Sequence, residues 1–112
     1  MSGKEYNPMK TKAAGVSTIY GYGTVSCAKF LNDIKKDTIE AKIFAASYYA
    51  WVSGFVSAAG LYNDTQKQFL DVADAHDIQH LTREYCEKNP LKDLADAAGS
   101  VANQLIDRAG RL

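Results

Sequence analysis

The sequence predicts an all-α single domain, a bundle of about four helices around a long central one. Three observations predict it. Ile43 to Tyr62 is a run of twenty residues without a charge. Within it Phe44, Tyr48, Trp51 and Phe55 recur at steps of four, three and four, which trace one side of a helix. Two downstream segments repeat apolar residues at the same spacing, and the one β-prone stretch has no second strand to pair with.

The central helix carries its own start and stop signals. Thr38 is its N-cap, Glu40 sits at the positive end of the dipole, and Gly60 is the stop. A second row steps by four through small residues, Ala46, Ala50, Gly54 and Ala58, where another backbone has room to approach. The closest helix contact is expected there, within the chain or across a homodimer, and Gly54→Leu is expected to destabilise the fold or break that dimer. Twenty uncharged residues also match a membrane span. However, Ser47, Ser53 and Ser57, two adjacent tyrosines and a mid-run Trp oppose it, because spans keep Tyr and Trp at their interfaces. A core helix is the better reading.

The chain in order begins with a flexible, polar tail over residues 1–15, followed by one domain over 16–112. Val16 to Val25 is β-prone but broken by Gly21 and Gly23, and reads as a short extended arm. Ser26 caps a first helix from Cys27 to about Lys36, with Phe30, Leu31 and Ile34 on one face. After Gly60 comes a turn, then a short helical piece through Phe69, Leu70 and Val72. Asp77 caps a third helix, Ile78 to Lys88. Asn89-Pro90 opens the last helix, Pro90 to about Ala109, with a buried stripe at Leu91, Leu94, Ala98, Val101 and Leu105 and a wet side at Asp93, Asp96, Asn103 and Asp107.

Composition bounds the function. Thirteen basic and thirteen acidic side chains give no net charge, and no basic patch clusters, so a nucleic-acid partner is not expected. In strong acid the charge climbs to about +15, with carboxylates neutral and both histidines charged. Cys27 and Cys86 are either buried thiols or one disulfide. A bridge would close about 60 residues, worth roughly 4 kcal/mol in the chain-entropy model. The start Met-Ser-Gly-Lys-Glu-Tyr is not an apolar leader, so the chain is either cytoplasmic or has had a signal segment removed.

Candidate chemistry is sparse. His76 and His80 lie four apart, a spacing that can grip zinc, but the Glu of the His-Glu-x-x-His pattern is missing and a site needs further ligands. A small metal-dependent enzyme built on them is the least favoured reading, and no metal or cofactor is expected. No Gly-x-Ser-x-Gly elbow is present, and Cys86 is badly spaced from either histidine for a nucleophile–base pair. Protein binding remains, with Tyr20, Tyr22, Tyr49 and Tyr62 as expected contacts, since tyrosine is enriched at interface hot spots.

Three blocks carry a resemblance: Thr24-Val-Ser-Cys27-Ala-Lys-Phe-Leu31, Ala50-Trp-Val-Ser-Gly54-Phe, and Tyr85-Cys-Glu-Lys-Asn-Pro-Leu-Lys-Asp-Leu-Ala-Asp-Ala98. In order and spacing, over residues 24–108, they resemble the HdeA-like superfamily of small bacterial envelope proteins. That superfamily includes acid-stress chaperones and the Tai/Rap-type immunity proteins of type VI secretion. The resemblance implies a helical fold with Cys27 bridged to Cys86, a periplasmic location with the signal peptide removed, and work by protein–protein contact. The expected function is a non-enzymatic immunity or inhibitor protein against a secreted toxin or envelope enzyme. An acid-activated periplasmic chaperone for unfolded clients is the alternative.

Overall fold

The computed structural model describes residues 21–62 and 73–110 of the chain. The expected tail, the short helical piece after Gly60 and the first residues of the expected arm lie outside them. Each described helix starts where a polar side chain satisfies amides that the helix itself leaves unpaired. In α1 (Cys27–Ile34), Ser26 accepts from the Lys29 N–H at 3.1 Å. For α2 (Ile39–Tyr62), Thr38 does the same for the Ala41 N–H at 3.1 Å.

Two later caps differ from expectation. Helix α3 (Ala75–Lys88) is capped by Asp74, not Asp77. Asp74 accepts from the Asp77 N–H and Asp77 accepts from the Asp74 N–H, both at 3.0 Å, a reciprocal capping box. The Asp77 backbone N–H, above all, holds the Asp74 carboxyl below its ordinary range. Helix α4 (Leu94–Ala109) opens with a second such box, Asp93 with Asp96. Asp96, expected on the wet side, is therefore buried.

Pro90 does not start α4 because its carbonyl is used elsewhere. Pro90 and Lys92 accept from the first α1 amides, Ala28 at 3.2 Å and Cys27 at 2.7 Å, while the Leu94 N–H donates to Val25 at 2.8 Å. The Asn89–Asp93 turn thus completes the start of α1, and Leu91, expected in the buried stripe, stands 97% exposed.

The arm is also different where it is described. Gly21–Thr24 is a 3-10 turn rather than an extended strand. Gly21 has φ 77°, and a Cβ there would sit 3.4 Å from the Trp51 indole. The left-handed φ favours glycine, while the indole leaves a Cβ in ordinary contact, so Gly21→Ala should cost about 1 kcal/mol in a urea titration. Gly60, by contrast, does not stop α2. It lies buried inside the helix, and Gly21 is the positive-φ glycine among the described residues.

The fold is all-α, four helices among the described residues, with α2 touching every other described element. Its broadest contact is with α4, whose residues 94–99 are buried one after another and are mostly Ala and Gly. Small residues on α4 let the two helices approach. Phe30, Tyr48, Val52, Val56, Leu81, Val101 and Leu105 fill the core around the joined pair Cys27–Cys86. Among the described residues, no helix is long and apolar enough to cross a membrane.

Candidate interaction surfaces

Rotation of α2 about its axis decides which residues face out. Tyr48 is 1% exposed and turns the helix so that Ala41, Val52, Val56 and Ala59 point into the core. The row Ala46, Ala50, Gly54 and Ala58 consequently lies on the outer side, exposed at every position. A Cβ on Gly54 would meet no atom of the described residues within 4 Å. The close contact expected of this row within the chain is made instead by the opposite side of α2 against α4. The fold-destabilising effect expected of Gly54→Leu is withdrawn for the same reason.

Tyr48 owes its position to one strong bond. Its hydroxyl donates to Asp33 of α1 at 2.6 Å, and Lys29 donates to the same carboxylate oxygen at 3.0 Å. Tyr22 and Phe30 meet its ring edge-on at 4.9 and 5.4 Å. The Tyr48 bond, chiefly, holds the Asp33 carboxyl below its ordinary value, and burial together with Asp33 pushes the Tyr48 phenol up. The bond ties α1 to α2.

A groove of about 520 Å³ opens between α1 and α3. Leu31 and Ile34 supply its apolar floor; Asn32, Lys35, Arg83 and Glu87 supply polar and charged walls. The disulfide joins the two walls directly, since Cys27 belongs to α1 and Cys86 to α3, with Cα atoms 4.8 Å apart. Tyr49 accepts from Arg83 Nη1 at 3.0 Å and so fixes the head of that arginine.

The expected contact tyrosines divide. Tyr49 supports the groove from beside it, and Tyr22 is 40% exposed against Tyr48. Tyr20 lies outside the described residues, and only the backbone of Tyr62 is described. Sequence reasoning missed the groove because Phe30, Leu31 and Ile34 look like one buried face. Phe30 alone is buried, and the other two lean outward. Nothing in the sequence marks Arg83.

His76 and His80 are both exposed near the start of α3. Among the described residues no group of three or more His, Cys, Asp or Glu side chains is placed to hold a metal. Cys86 is committed to its bridge. What the arrangement offers chemically is contact, through a clamped amphipathic groove and a charge-free helix face. No protein-family model, curated protein or solved structure matches the chain.

Proposed function

We propose that this chain is a non-enzymatic protein-binding protein of the bacterial envelope, an immunity or inhibitor protein that seats part of a secreted toxin or envelope enzyme in its α1–α3 groove. One observation carries the reading: the groove's two walls are covalently joined. A rigid cleft pays little ordering entropy on binding, and an apolar floor ringed by charge is the usual anatomy of a protein interface. The disulfide favours an oxidising compartment, and the HdeA-like resemblance points to the periplasm.

The test is capture from envelope extract of the source organism, with wild-type, Leu31→Asp and Arg83→Glu proteins. Leu31 is half-buried and Arg83 half-exposed at the groove, so each substitution should leave helicity intact while reducing capture of the same partner about tenfold or more, the scale of a hot-spot loss. Capture unchanged by both substitutions would sink the groove.

The acid-chaperone reading has one observation in its favour. The Asp33–Tyr48 bond joining α1 to α2 favours the ionised carboxylate, so strong acid weakens this tie while the chain's charge climbs. Failure to suppress client aggregation at low pH would remove this reading.

A further inference from the structure

We infer that the outer face of α2 pairs with the same face of a second copy of this chain, antiparallel and centred on Ala50. This goes beyond the groove reading and uses a different surface. A helix apolar on all sides is ordinarily covered on all sides. Among the described residues the outer face is open: Ile39 is 74%, Ile43 60% and Leu61 67% exposed, and Ala46, Ala50, Gly54 and Ser57 lie exposed between them. These residues step along the helix by four, three, four, four, three and four, the seam spacing of two packed helices.

The order of sizes along the seam identifies the occupant. Large residues stand at both ends and small ones in the middle, so the face is nearly the same read in either direction. Two copies turned antiparallel about Ala50 set Ala50 against Ala50, Ala46 against Gly54, Ile43 against Ser57, and Ile39 against Leu61. The small centre lets the backbones approach to about 8 Å, and the large ends close over it. That is the self-complementarity a two-fold interface demands.

Charge agrees. The seam carries none between Ile43 and Leu61. Glu40 and Lys42 flank its start, and in the antiparallel arrangement they fall beside Gly60 and Ala58 of the other copy, so like charges do not meet. The helix dipoles run head to tail. A seam about 33 Å long and 12 Å wide buries on the order of 800–1,000 Å² in total, the low end of specific interfaces. The dimer is therefore reversible, forming at micromolar concentrations.

Sedimentation equilibrium of the full chain across the micromolar range tests this. The mass should rise from 12.2 kDa towards twice that value. Ala50→Arg, which sets two cations face to face at the centre, should hold it at the single-chain mass with helicity unchanged. Ala50→Ser should still dimerise, and so should the groove variant Arg83→Glu, which separates this inference from the groove reading.

Several results would overturn the inference. One is a wild-type protein that stays at 12.2 kDa throughout; another is a dimer that survives Ala50→Arg. If the wild type is monomeric and the Ala50→Cys thiol is shielded from maleimide, the chain's own residues cover the face. If it is monomeric and Ala50→Arg abolishes capture of an envelope protein, that protein covers it.

Discussion

Reduction of the Cys27–Cys86 bridge should lower stability by about 4 kcal/mol, from the closure entropy of its loop. The two cysteines are 59 residues apart in sequence, and the loop contains α1 past its first residue, all of α2 and most of α3. Cross-linking removes conformations from the unfolded chain, so the loss appears without any change of folded contacts. Both sulfurs stay buried, and Cys27→Ala with Cys86→Ala should cost somewhat more through the space left. A domain of this size has a total stability of about 5–15 kcal/mol, so the bridge is a large share of it. Thermal unfolding with and without reductant should show a fall of about 15 °C, at roughly 4 °C per kcal/mol. Mass measurement should show both thiols protected from alkylation until reduced. A fall of only a few degrees would mean that the main-chain bonds between residues 25–28 and 90–94 already hold the loop ends together in the unfolded ensemble.

Tyr48→Phe should cost about 1–2 kcal/mol at neutral pH, the range for a hydrogen bond to a charged acceptor that keeps another donor. The other donor is Lys29, which continues to pair with Asp33. The cost should depend on pH in a set direction. Asp33 titrates below its ordinary value of 3.8 in the folded chain. Its contribution is complete above that value and disappears as the pH falls through the lower, folded one. The Tyr48 phenol moves the other way, so its contribution is complete below 10 and fades only in strong base. Between these limits the difference between wild type and Tyr48→Phe should be flat, and below about pH 4 it should shrink. Urea midpoints across the acid range measure it. A difference that stays constant down to roughly pH 2 would show that the neutral acid keeps the bond.

What the sequence disclosed was periodicity and the first two caps. Ser26 and Thr38 precede their helices directly, and the 3.6-residue repeat is strong enough to give the helix count. The other two starts were hidden by reciprocity. Asp74–Asp77 and Asp93–Asp96 each put two carboxylates three apart, and only the fold decides which one is the cap. The turn after Asn89 misled because its Pro90 and Lys92 carbonyls serve α1, more than sixty residues away in the chain. The rotation of α2 was equally illegible. Its small row and its valine row both keep helical spacing, and burial of the larger side chains Tyr48, Val52 and Val56 is what separates them. The groove needs two helices brought side by side, which no local pattern records.

The disulfide has one more consequence, a topological one. A protease that cuts the chain once between residues 28 and 85 severs the backbone yet releases nothing, because the pieces remain one covalent molecule through Cys27–Cys86. Such a nicked protein keeps its mass, apart from the added water, and its groove walls stay joined. On a denaturing gel it runs as two bands only after a reductant is added. A single cut in that span therefore leaves α1 and α3 tethered to each other.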